Sequence, residues 1–132
     1  TKPSDHMVFP EIISKEPLGP LVRQGDDRWA DIGRWVLFVL INAEELGVTQ
    51  ANVDEMAKGT NNPEINRMLG TEGSLAAMIG LDKSWAINAI KAGGNYGEIF
   101  EKYLGKDTPL AIARGLNAQW NNGGLIYAPP MR

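Results

Sequence analysis

The stretch GGNYGEIFEKYLG, Gly93 to Gly105, carries start and stop signals for one short helix. Asn95 stands where an N-cap belongs, Glu98 follows three residues on to complete a capping box, and Gly105 comes after the last apolar residue, where a left-handed C′ position falls. Between them Tyr96, Ile99, Phe100, Tyr103 and Leu104 recur at i, i+3, i+4, i+7 and i+8, while Glu98, Glu101 and Lys102 point elsewhere. A helix of this length is marginal alone in water. Burying five such side chains would contribute roughly 7–15 kcal/mol gross, before chain-ordering costs, so the pattern predicts a helix that docks.

Outward from this helix, the chain of 132 residues has the length of one ordinary domain, 43% hydrophobic and 22% charged. Its 16 acidic and 13 basic residues are scattered, for a formal charge of −3. No basic stripe invites nucleic acid and no polybasic segment invites an anionic membrane. The longest apolar run, WVLFVLI at Trp35 to Ile41, is far shorter than a bilayer span and lies inside a helical pattern, which reads as buried core. Zero cysteines exclude disulfides, thiolate nucleophiles and Cys-based metal sites without selecting a compartment.

The first 27 residues differ from the rest: short apolar runs (MVF, EIIS, PLV) are punctuated by Pro3, Pro10, Pro17 and Pro20. Proline breaks helices and biases its predecessor toward extended backbone, so strands or extended crossings are expected here. Asp26 or Asp27 then caps a long helix to about Glu45, closed by Gly47, with Trp29, Ile32, Trp35, Val36, Val39, Leu40 and Ala43 on a wide apolar face. Thr49 can cap a segment to Ala57, Asn62 with Pro63 opens another that Gly70 ends, and Asp82 or Ser84 caps Trp85 to Ala92. Thr108 and Pro109 start a further turn or short helix ending near Trp120, and the tail NNGGLIYAPPMR reads as turn plus extended chain.

Catalytic chemistry finds little support. His6 is the single histidine and no D-x-D-x-D-G loop exists, so no metal site is expected. No G-x-S-x-G elbow holds Ser14, Ser74 or Ser84 for nucleophilic attack. The carboxylate pairs Glu44/Glu45 and Glu98/Glu101 could echo a glycosidase acid and base, but neighbouring carboxylates on amphipathic helices are usually solvated faces. Trp29, Trp35 and Trp85 lie at helical spacing among aliphatics and read as core, while Trp120 and Tyr127 stand beside turns. The glycines of AGGNYG loosely echo a phosphate loop, yet no strand leads into them. Residue patterns therefore reach an α/β domain with no catalytic residue, no cofactor and no enzymatic role, and a small helical interaction or dimerisation module stays open beside any ligand-binding role.

Two stretches together resemble the C-terminal part of the polar amino-acid-binding proteins of bacterial ABC uptake transporters. PLGPLVRQGDDRW looks like that family's crossing strand and helix start, and GNYGEIFEKYLG matches its terminal helix pattern at Gly94, Tyr96, Ile99, Tyr103 and Gly105. PEIISKEPLGP, INAEELGVTQANVDEM and GGLIYAPPMR are similar to the longer branch of the family, the general L-amino-acid-binding periplasmic proteins.

The resemblance implies a mostly helical C-terminal part of a two-lobe (type II) periplasmic binding protein. Residues 1–24 would end the second lobe and cross the hinge. Residues 25–105 would return to the first lobe as a helical cluster with inserted helices at about 48–92, and 106–132 would form a C-terminal tail. The implied partners are free L-amino acids, a first lobe built by upstream sequence and ABC permease subunits, with self-association of the isolated chain a further expectation. The family's arginine for the ligand α-carboxylate and acid for the α-ammonium would lie upstream of Thr1. What remains near the cleft is the crossing Ser14 to Leu18, where Lys15, Glu16 and Leu18 are the expected ligand or hinge contacts, or ties of the strand into the hinge.

Overall fold

The computed structural model describes residues 2–7, 9–11, 13–14 and 18–131. Six helices follow in order: α1 (Asp27–Glu45), α2 (Val53–Met56), α3 (Pro63–Met68), α4 (Leu75–Met78), α5 (Trp85–Gly93) and α6 (Tyr96–Tyr103). Single turns of 3-10 helix lie at Pro3–Asp5, Gly115–Asn117 and Trp120–Asn122.

Helix ends fall where short-range chemistry puts them. Asp26 caps α1 by accepting a hydrogen bond from Trp29 N at 3.1 Å. Gly47, at φ +70°, ends it in a Schellman turn: Gly47 N donates to Glu44 O and Val48 N to Ala43 O, which satisfies two carbonyls and turns Val48 into the core. The same pair of bonds at Gly70 and Gly80 ends α3 and α4. Asn62 caps α3 through Glu64 N, with Pro63 at the first helical position. Thr49 opens the turn before α2 by accepting from Asn52 N, and Asn52 is the N-cap. Asp82 Oδ1 accepts from both the hydroxyl and the amide of Ser84 ahead of α5, and these bonds hold its carboxyl below the ordinary value. A one-turn helix, α4, forms inside the glycine-rich link where the pattern shows no periodicity.

The capping box of α6 forms in full, and Asn95 does a second job. Its Oδ1 accepts from Glu98 N at 2.9 Å and its Nδ2 donates to Val48 O at 2.8 Å, so the cap also ties α6 to the turn after α1. Glu98 Oε2 accepts from Asn95 N at 2.8 Å and Gln50 N at 3.0 Å. Asn95→Ala is expected to cost about 2 kcal/mol, the lost cap plus a stranded buried carbonyl, read as a fall in urea midpoint at unchanged slope. A loss under about 0.5 kcal/mol would mean that water replaces both bonds.

Gly105 differs from the expectation of a left-handed stop. It is absent from the positive-φ residues and its N donates to Phe100 O, while a Cβ there would lie 2.6 Å from Glu101 Cα. Close approach, not handedness, calls for glycine. Of the turn or short helix expected from Thr108 toward Trp120, the structure forms turns, with single 3-10 turns at Gly115–Asn117 and Trp120–Asn122.

The core gathers the second half of α1 (Val39, Ala43) with Val48, Val53, Ile65, Met68, Leu69, Ala86, Ile90 and, from the tail, Met131. Trp35, Phe38, Trp85 and Ile87 pack around it, with Trp35 and Phe38 edge to face at 5.7 Å between ring centres. α1 packs on α5 and on α6.

The expected N-terminal strands are not formed among the described residues. The one pairing there is an isolated parallel bridge between Gln119 and Ile126. A strand needs a neighbour to take its N–H and C=O groups, and no described segment runs alongside residues 18–24.

Candidate functional site

Lys15 and Glu16 lie outside the described residues. Leu18 is 94% exposed and Leu21 98%, in a stretch without regular secondary structure. The structure therefore brings no partner to the one described residue of the expected hinge set. Both leucine side chains leave nearly their whole apolar surface to solvent.

The apolar face of α1 divides in the same way. Its second half is core, but Trp29 near its start is 56% exposed. This corrects the reading of Trp29 as a core residue: the spacing places it on the apolar stripe, and nothing described covers that end of the stripe. On α6 Phe100 is buried, Ile99 and Tyr96 are half-buried, and Tyr103 and Leu104 are exposed.

At the other end of α1 a buried polar network holds the tail in place. Glu44 takes a two-pronged ion pair from Arg114, Nη1 to Oε1 at 2.8 Å and Nη2 to Oε2 at 3.1 Å, with both side chains largely buried. The same guanidinium donates through Nε and Nη2 to Asn117 O and lies over the rings of Phe100 (5.1 Å) and Tyr96 (5.5 Å). Gln119, fully buried, donates from Nε2 to Ile41 O at 3.0 Å and Glu44 Oε2 at 3.1 Å; its Oε1 has no partner among the described residues. Gly97 makes room for this cluster, since a Cβ there would come within 2.8 Å of Glu44 Oε1 and 3.0 Å of Arg114 Nη1.

These contacts decide the carboxylate pairs. Glu44 is neither a solvated carboxylate, as the sequence suggests, nor a free acid or base; it is neutralised in place. Glu45 accepts from Trp120 Nε1 at 3.2 Å, and Glu98 is taken up by its capping box. His6 is exposed, with Nδ1 3.0 Å from Lys2 O. Among the described residues no group of His, Asp or Glu side chains could hold a metal ion. No described helix is long and apolar enough to cross a membrane.

The arrangement is thus a helical cluster whose tail is held by a buried polar network, preceded by a stretch with exposed leucines. Arg114 and Gln119 carry the polar network, and sequence reasoning passed over both. The available signal was a lone cation in the otherwise uncharged stretch from Thr108 to Asn122.

No protein-family model matches the chain. Among curated proteins it is 61% identical over 132 residues to the general L-amino acid-binding periplasmic protein AapJ of Rhizobium johnstonii, covering 98% of this chain and 38% of the relative. It is 57% identical over 129 residues to the glutamate/glutamine/aspartate/asparagine-binding protein BztA of Rhodobacter capsulatus, covering 98% of this chain and 38% of that protein. Among solved structures, an ABC transporter periplasmic binding protein from Brucella ovis with glutathione bound superimposes at a TM-score of 0.91 and 59% identity, over 98% of this chain and 41% of that one. The chain spans well under half the length of the relatives it matches. By sequence and by fold it belongs, as a part of one, to the amino-acid-binding proteins of bacterial ABC transporters.

Proposed function

We propose that this chain supplies the C-terminal part of the substrate-binding component of an ABC uptake system for L-amino acids, working in the periplasm. In this reading residues 1–24 leave the second lobe and cross the hinge. Residues 25–105 seat on the first lobe, with the helices at about 48–92 as an insertion, and 106–132 wrap as a tail. Ligand is held between the lobes and handed to the permease with no bond broken, so no catalytic step belongs to the chain. Lys15, Glu16 and Leu18 stand at the crossing, as hinge or ligand contacts.

The observation that carries the reading is identity of 57–61% to two amino-acid-binding relatives along nearly the whole chain. The bare leucines at 18 and 21 and the uncovered start of α1 agree with it, because a sheet supplied by other sequence would cover them.

Isothermal titration of the full gene product with L-glutamate, L-glutamine, L-aspartate and L-leucine tests the proposal. At least one is expected to bind with a Kd of about 1 μM or tighter, roughly −8 kcal/mol, while the 132-residue chain alone binds none. Failure of the full product to bind any L-amino acid would overturn the function. Equal binding by the chain alone would overturn the placement of the ligand groups upstream.

A further inference from the structure

Away from the crossing, a groove of about 320 Å³ opens between the α3–α4 link and the start of α5. Its volume lies at the lower end of small-ligand sites. The apolar lining comes from Leu75, Leu81 and Trp85, and the small residues Gly73, Ser74, Ala76 and Ala77 make up one wall. Gly70 and Gly73 both adopt left-handed backbone, at φ +77° and +86°, and Gly73 sits 3.9 Å, by its would-be Cβ, from Arg67 Cγ, so backbone and not side chain shapes this wall.

The polar groups at the rim are unevenly charged. Arg67 and Lys83 line the groove and neither is paired with a carboxylate among the described residues; the bond the structure gives the Arg67 side chain runs from Nε to Met131 O at 3.3 Å. Ser74 stands at the head of α4 without making a side-chain cap bond, and its hydroxyl carries a proton it can donate. The one carboxylate, Glu72, accepts from Asn66 Nδ2 at 3.3 Å. Two cations with no carboxylate partner among the described residues, and a hydroxyl, beside aromatic and aliphatic side chains match an anionic head on an apolar body.

From this juxtaposition we propose that the groove is a binding site for a small organic carboxylate with an apolar tail, the carboxylate held by Arg67, Lys83 and Ser74 and the tail lying on Leu75, Leu81 and Trp85. The chemistry is shared by free aryl-alkyl acids and by the carboxyl terminus of a peptide ending in an apolar residue.

The full gene product labelled with 5-fluorotryptophan tests it, with the Trp85 signal assigned by its loss in Trp85→Phe. Titration with 3-phenylpropanoate in the presence of saturating L-glutamate is expected to shift the Trp85 signal with millimolar affinity. The neutral 3-phenylpropanamide is expected to bind roughly tenfold or more weakly, since the charge-assisted contacts are lost. A tripeptide ending in a free apolar carboxylate, compared with its amide, distinguishes the peptide source: tighter binding than phenylpropanoate assigns the groove to a chain terminus, weaker binding to a free acid. The proposal is overturned if acid and amide shift Trp85 alike, or if neither does. Arg67→Met with Lys83→Met should abolish the acid's advantage, and an advantage that persists in that variant would overturn the role of the two cations.

Discussion

Glu44→Gln is expected to lower the stability of the gene product by about 3 kcal/mol, at the lower end of what breaking a buried ion pair costs. The substitution keeps the shape and removes the charge, so the Arg114 guanidinium stays buried against Phe100 and Tyr96 with no counter-ion. Gln119 Nε2 loses a charged acceptor in the same step. Both members of the pair are mostly out of solvent, which limits screening by salt and keeps the cost well above the fraction of a kcal/mol typical of surface pairs. Glu44→Leu combined with Arg114→Met should recover a large part of the loss, because two apolar groups leave no charge stranded. Urea unfolding of the two singles and the double gives the coupling directly. A Glu44→Gln loss below about 1 kcal/mol would show that water reaches the guanidinium and that the tail is not held by this pair.

The second large effect is expected at Phe100. Phe100→Ala should cost about 3–5 kcal/mol, from lost transfer and the cavity left behind, with the guanidinium above the ring also losing its aromatic face. Phe100→Leu should keep the greater part of the burial and lose less. The measurement is again the urea midpoint, supplemented by near-ultraviolet circular dichroism to confirm that the native packing is retained. A cost under about 1 kcal/mol would mean that α6 is not anchored through this side chain.

The helices were the most readable feature of the sequence because their signals are local. Asp26 and Gly47 set the ends of α1, and Asn95 with Glu98 started α6 as its capping box requires, all within a few residues of the backbone groups they satisfy. α4 was missed because one turn of LAAM carries no period. Trp29 was misplaced because periodicity names the face of a helix but not how far along that face the cover extends. The Glu44–Arg114 pair joins residues 70 apart, and no rule of short-range spacing connects them. The proline-rich start forms no strand among its described residues, since a strand's partner is a property of other sequence. Family membership came from resemblance at the crossing and at α6. The polar network and the groove are built by side chains distant in sequence, which no local pattern joins.

Met131 has one last consequence, for the timing of folding. It is buried in the same cluster as Val39 and Ile90, and its carbonyl is hydrogen-bonded by Arg67. The core around α1 therefore stays open on one side until residues near 131 have emerged from the ribosome, however early α1 itself is made.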